Sequence, residues 1–218
     1  MLNKILILAT RNQGKISEFK ELLSSFPVEI KSLQDFGPIP PVVEDGETFE
    51  ENAHKKAHTT AKILGFPVLA DDSGLEVQAL GGLPGVRSAR YAGEEATDRE
   101  NNLKLLEAMK GIVDRKASFK CVITIAVPRG SALTYEETCD GEITHEMEGD
   151  HGFGYDPIFY YPPLKKTFAQ MSVEEKNRIS HRGRATTQLR DEFDKVLFWL
   201  EQRLTEEASS KGCVTPES

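Results

Sequence analysis

The chain opens with an apolar strand-like run, a polar turn containing glycine, and then a helix, an order that points to a sheet covered by helices. Met1 to Ala9 reads as a buried strand and Thr10 to Gly14 as a polar loop. Lys15 to about Phe26 then carries the apolar stripe Ile16, Phe19, Leu22, Leu23 and Phe26, which predicts a helix. A strand feeding a helix through a short turn leaves backbone N–H groups and the positive end of the helix beside that turn, where an anion can bind.

Further elements follow the same grammar. Pro38, Pro40 and Pro41 mark an irregular connection, after which Thr48 and Glu51 have capping-box spacing at the head of a helix that Gly65 and Pro67 stop. Val68 to Ala70 predicts a short strand running into Asp71, Asp72, Ser73 and Gly74, so the acidic pair is expected at a strand end. Gly81, Gly82, Pro84 and Gly85 form a loop, and Thr97 with Glu100 caps a helix ending near Gly111. Phe119, Cys121, Ile123, Ile125 and Val127 alternate along a strand from Ala117 to Val127. Leu133 to Cys139 and Glu142 to Glu148 predict two more strands joined around Asp140 and Gly141. Ser172 with Glu175 starts a short helix, Ala185 to Leu204 reads as one long amphipathic helix, and residues 205–218 read as a polar, disordered tail. The sum is an α/β chain with a mixed, elongated central sheet flanked by helices, 1–204 forming one domain with room for two lobes and a cleft.

Charge and cysteine usage narrow the function classes. A net charge of −8 argues against a protein that grips long nucleic acid, since that requires neutralising many phosphates. It leaves room for a small phosphorylated ligand held by local cations. No apolar run spans a bilayer and no secretory leader pattern is present, so the expected location is cytoplasmic. Cys121, Cys139 and Cys213 show neither a metal spacing nor a disulfide framework; the first two are expected to be buried and Cys213 to lie in the tail.

Four segments could carry chemistry. Thr10, Arg11, Asn12, Gln13, Gly14 and Lys15 gather hydroxyl, amide and cationic groups at a helix start, a phosphate-binding mixture without the spacing of a Walker A loop. Glu44, Glu47, Glu51, Asp71 and Asp72 are oxygen donors of the kind Mg²⁺ prefers. Gly152 to Pro157 could lay an aromatic ring against a base while backbone approaches closely. Lys176, Asn177, Ser180, His181 and Arg182 offer charge for phosphate and donors for a keto oxygen.

Taken together, the segments ATRNQGKISEF, TFEENAHKKA, ADDSGLEV, LGGLPGVRSARYAG, HGFGYDPIF, KTFAQM and EEKNRISHRGRA resemble, in order, the inosine triphosphate pyrophosphatase family, from about Lys4 to Leu204. The resemblance implies a two-lobed homodimer with a nucleotide cleft, and Mg²⁺-dependent hydrolysis of ITP, dITP and XTP to the monophosphate and pyrophosphate. By position, Thr10 to Lys15, Lys56 and Lys176 would cradle phosphates, with a contact from Ser73. Glu44 and Asp72 would hold Mg²⁺, Asp72 also accepting the proton of water; residue pattern alone does not choose between Asp71 and Asp72. Phe153 would stack on the base, Gly154, Tyr155 and Asp156 would line its site, and His181 with Arg182 would read the 6-keto edge. Two departures stand out: Gln170 replaces a Glu common after Phe-Ala, and Glu148 to His151 replaces a Pro/Arg/Gly-rich approach to GFGYDP.

Overall fold

The structure, a computed structural model, describes residues 5–211. In chain order it contains β1 (Ile5–Leu8), α1 (Gln13–Leu22), β2 (Glu29–Ser32), α2 (Phe49–Leu64), β3 (Val68–Val77), α3 (Asp98–Ala108), β4 (Lys116–Ala126) and β5 (Ala132–Ile143). After these come β6 (Phe159–Tyr161), β7 (Lys166–Thr167), α4 (Val173–Ile179), α5 (His181–Asp191) and α6 (Phe193–Lys211), with short 3₁₀ turns between several of them. The strands form one sheet in the order β2-β1-β3-β4-β5-β6-β7. β1 is parallel to β2 and β3, because α1 and α2 supply the crossovers that parallel neighbours need. All later pairs are antiparallel, so the sheet is mixed as the sequence predicts.

Two main apolar clusters occupy opposite ends of the long strands β3, β4 and β5. At one end Leu6, Leu69, Cys121, Ile123 and Ile125 pack against Ile16 and Phe19 of α1 and against Leu189, Phe193 and Val196 of α5 and α6. On the other face of the sheet there, Ile7, Val68, Ala70 and Ala126 meet Ala57 and Ala61 of α2, whose small side chains let the helix lie close. At the far end Leu75, Val77, Phe119 and Cys139 join Leu105 of α3, Met109 just after it, and Phe159, Phe168 and Met171. Between Leu69 and Leu75 lies the polar stretch Asp71-Asp72-Ser73-Gly74, in the waist between clusters. Cys121 and Cys139 are free and buried, as expected, whereas Cys213 lies outside the described residues.

Several elements differ from their sequence expectation. Within the described residues β1 covers Ile5–Leu8, and α1 runs from Gln13 to Leu22 because Asn12 is its N-cap, its side chain accepting from the N–H groups of Gly14 and Lys15. The acidic pair does not sit at a strand end: pairing with β4 continues from Val68↔Ala126 to Val77↔Ala117, placing Asp71 and Asp72 inside β3. The two strands expected around Gly141 are the single strand β5, and residues 144–148 lie beyond its end. Gly141 is needed for a different reason, since a Cβ there would come 2.5 Å from the Tyr160 carbonyl oxygen and 2.6 Å from the Phe159 ring of β6. The long C-terminal helix is two helices that break at Glu192, whose side chain is engaged by Tyr135. The tail expected to be disordered is helical as far as Lys211.

Candidate active site

The consecutive acids of β3 point to opposite faces of the sheet, and this alternation gives them different chemistry. Asp71 shares the face of Leu69 and meets α1 and α5. Its Oδ2 lies 2.6 Å from Lys15 Nζ and 3.3 Å from an Arg182 nitrogen, and it is 4% exposed. Burial alone would raise the Asp71 carboxyl, but Lys15 and Arg182 outweigh it and hold the group well below the usual carboxylate range. Asp72 shares the face of Ala70 and meets α2, where Asn52 hydrogen-bonds to it and Lys56 stands nearby. Its Oδ1 accepts from Ser73 N at 3.0 Å, while Oδ2 is buried with no hydrogen-bond partner. Desolvation, only partly offset by Lys56 and reinforced by Glu44, pushes its carboxyl up to about 6. Asp71 is therefore a locked anion, and Asp72 is a carboxylate able to exchange a proton near neutral pH.

A polar arm of the cleft is lined by Thr10, Arg11, Lys15, Glu44, Lys56, Asp72, Ser73 and Arg182. Lys56, one turn after Asn52 on α2, donates to the Asp71 carbonyl oxygen at 3.0 Å and pairs with Glu44 at 3.1 Å. Arg182 also donates to Ser73 Oγ at 3.0 Å, and Arg11 donates to the Ile39 carbonyl oxygen. The arm thus collects four cationic side chains around two carboxylates, the balance required to hold a polyanion beside a cation.

The arm opens, through Ser73, Ala89, Phe153 and Arg182, into an aromatic recess. Phe119, Phe153, Tyr155, Asp156, Lys176 and His181 line this second part. Lys176 pairs with the buried Asp156 and holds its ammonium 4.5 Å from the centre of the Phe153 ring. His181 stacks on Phe119 with ring centres 4.7 Å apart and planes within 10°. Burial, with Arg182 and Lys176 adding to it, presses the His181 pKa well down, so the ring is neutral at pH 7, and its Nδ1 has no hydrogen-bond partner. The loop turns at Gly152 (φ +81°), where a Cβ would fall 2.0 Å from Asp156 Oδ2, and again at Gly154 (φ +60°). Asp156 Oδ2 accepts from Phe153 N at 2.9 Å, which fixes the loop's curl.

Most of the sequence-selected residues converge on this cleft, with informative exceptions. Asn12 and Gly14 are engaged in the α1 cap, and Gln13 donates to Gln34, so within Thr10 to Lys15 the arm is lined by Thr10, Arg11 and Lys15. Lys176, expected among the phosphate groups, lies instead at the aromatic end. Glu47 and Glu51 serve the α2 capping box: Glu51 Oε2 accepts from Glu47 N at 2.7 Å and from Thr48 N. Residues not selected include Asn52, Asp98, Asn101 and Ser88. Asn52 is one turn from Lys56, a spacing that would have placed it on the same helix face. The two departures noted above meet each other, since Gln170 Nε2 donates to Glu148 Oε2 at 3.2 Å while its Oε1 accepts from Thr167 N. A Glu at 170 would bring two carboxylates together there.

The donor set fits Mg²⁺. Glu44 and Asp72 are two carboxylates on one cleft, one with a buried oxygen lacking a partner, and Mg²⁺ characteristically takes one or two protein carboxylates plus water and phosphate oxygens. Among the described residues no group of three or more His, Cys, Asp or Glu side chains is placed to hold a metal ion. No helix among the described residues is long and apolar enough to cross a membrane.

Comparison with known proteins agrees with this architecture. Residues 6–192 match the Ham1 family. The chain is 58% identical over 222 aligned positions to the dITP/XTP pyrophosphatase of Syntrophobacter fumaroxidans, covering 100% of this chain and 96% of that protein. It is also similar to the solved Ham1 protein structures of Staphylococcus aureus (TM-score 0.84, 45% identity) and Coxiella burnetii (TM-score 0.85, 43% identity), each over 88% of this chain and 99% of that one.

Proposed function

The chain belongs to the Ham1 family, and from that premise we propose that it hydrolyses the noncanonical purine nucleoside triphosphates ITP, dITP and XTP to the monophosphate and pyrophosphate. The observation that carries the reading is the continuity of a cation-lined arm with an aromatic recess, a shape matched to a triphosphate joined to a base. The triphosphate lies along Thr10, Arg11, Lys15 and Lys56, with Ser73 at the junction. The base enters beside Phe153, between the Gly154-Tyr155-Asp156 wall and His181.

Water attacks the α-phosphorus, the bond from that phosphorus to the bridging oxygen breaks, and pyrophosphate departs. Asp72, in the arm beside Glu44 and Lys56, takes the proton from water; burial raises its metal-free carboxyl to about 6, and a bound cation offsets that rise. Asp71 is unsuited to that step, because Lys15 and Arg182 keep it ionised and occupied. Lys15 and Lys56 neutralise charge gathering on the departing group. Mg²⁺, held by Glu44 and Asp72, would supply Lewis-acid polarisation of the phosphoryl oxygens. At the base, Arg182 can only donate, and its Nε is buried without a partner. A 6-keto oxygen satisfies that donor, whereas the 6-amino group of adenine confronts it with another donor. Lys176 acts at this end, fixing Asp156 and the Phe153 ring. The same reading includes a cytoplasmic homodimer, checked by sedimentation.

The test is a substrate panel with product identification. ITP, dITP and XTP with Mg²⁺ should release pyrophosphate, ATP and GTP far less, and EDTA should stop turnover. Orthophosphate as first product, or ATP cleaved as fast as ITP, would overturn the reading.

A further inference from the structure

The first five residues of α3 are all polar, and among them Asp98, Asn101 and Asn102 face the recess walls, with both asparagines buried at 2% exposure. Asparagine is a poor helix former, and buried amides require partners. Here the partners of Asp98 Oδ2, of the Asn101 amide and of Asn102 Nδ2 are largely the backbones of the two loops that wall the aromatic recess, while Asn102 Oδ1 is buried without one. Asp98 Oδ2 accepts from Gly154 N at 2.6 Å, and Asn102 Nδ2 donates to the Gly154 carbonyl oxygen at 2.7 Å, so both backbone polar groups of Gly154 are held. The same Asn102 nitrogen donates to the Asp98 carbonyl oxygen at 2.8 Å, tying the pair together. On the facing wall, Asn101 Oδ1 accepts from Ala92 N at 2.7 Å and its Nδ2 donates to the Ala89 carbonyl oxygen at 3.1 Å. Tyr155 bridges the two walls by donating its hydroxyl to the Ser88 carbonyl oxygen at 2.8 Å.

We propose that Asp98, Asn101 and Asn102 are positioning residues for the base: α3 clips both walls of the recess and sets the gap into which a purine ring fits. The inference rests on the nucleoside triphosphate reading of this cleft. Phe153 is 61% exposed, so its own packing does little to place it. It sits between two glycines in the left-handed region, Gly152 and Gly154, about which an unclipped loop turns readily. The cations of the polar arm come from the loop after β1 and from α1, α2 and α5, and none of them is bonded to the clip, although the arm shares Ala89 and Phe153 with the recess. Loosening α3 therefore harms recognition of the base and leaves the grip on phosphates intact.

The experiment measures kcat and KM for ITP, and competitive inhibition by inorganic tripolyphosphate, which has no base. The variants are Asp98→Ala, Asp98→Asn and Asn102→Ala. Asp98→Ala and Asn102→Ala should each raise KM about tenfold, the usual weight of a hydrogen bond to a charged or buried group, with kcat and tripolyphosphate inhibition changed less than about twofold. Asp98→Asn keeps an acceptor oxygen for Gly154 N and should stay near wild type. Asp98 is exposed at the helix start, so its pair of variants decides the matter even where Asn102→Ala folds poorly. An unchanged KM in Asp98→Ala, or tripolyphosphate inhibition weakening in parallel with KM, would overturn the clip. A wild-type protein that leaves ITP intact would instead overturn the function from which the inference starts.

Discussion

Replacing Asp72 by Asn should make the metal-free protein more stable at neutral pH while removing most of its turnover. The Asp72 carboxyl rises from an ordinary 3.8 to about 6 because burial and Glu44 disfavour its charge more than Lys56 and Asn52 favour it. Below pH 3.8 the group is protonated in both folded and unfolded chains and costs nothing. Between 3.8 and about 6 the unfolded chain ionises first, so stability falls as pH rises, and above about 6 the full penalty remains. A gap of about two pH units corresponds to ~3 kcal/mol at most. The amide introduced by Asp72→Asn needs its own partner where Oδ2 has none, which reduces the expected gain to about 1–2 kcal/mol. For a chain of this size that is a rise in Tm of about 2–8 °C. Urea and thermal unfolding in EDTA at pH 7.5 and pH 4 measure it, with pyrophosphate release from ITP assayed in parallel. The gain should be present at pH 7.5 and become a loss of about 1 kcal/mol at pH 4, where little of the carboxylate penalty remains and the cost of the amide is unchanged. A variant less stable than wild type at pH 7.5, or equally stabilised at both pH values, would show that the carboxylate is not strained by its surroundings.

Gly183→Ala should destabilise by about 2 kcal/mol or more, despite alanine's better helix propensity, because a Cβ there would fall 1.7 Å from the Asn177 carbonyl oxygen; a urea midpoint at or above wild type contradicts this. Gln170→Glu should cost about 0.5 kcal/mol by opposing Glu148, and Glu148→Gln should restore it; a double-mutant cycle with no coupling removes the link between the two departures. Arg182→Ala should lower the ratio of ITP to ATP turnover at least about tenfold and cost ~3 kcal/mol of stability by stripping a buried partner from Asp71, and equal loss of both substrates would refute its base-reading role.

What the sequence settled by itself is what nearest-neighbour geometry settles. The capping boxes at Thr48/Glu51, Thr97/Glu100 and Ser172/Glu175 form as their three-residue spacing requires, and the alternation of Phe119 to Ile125 builds β4. The ordered segments were sufficient to identify the family, because each is a local string whose meaning does not depend on distant residues. Tertiary structure decided the rest. Asp71 and Asp72 read as a strand end, since two adjacent acids are ordinarily solvated, yet they lie inside β3 because cations from distant elements meet them there. Lys15 and Arg182 reach Asp71 across 56 and 111 residues, separations on which no local pattern reports. Gly141 reads as a turn and is a close approach to β6; Lys176 reads as a phosphate ligand and stands over the Phe153 ring. Which acid is locked and which is free was invisible in a dipeptide of identical residues. It follows from the pleat of a strand, which turns one toward a pair of cations and the other toward a helix bearing an amide and a lysine.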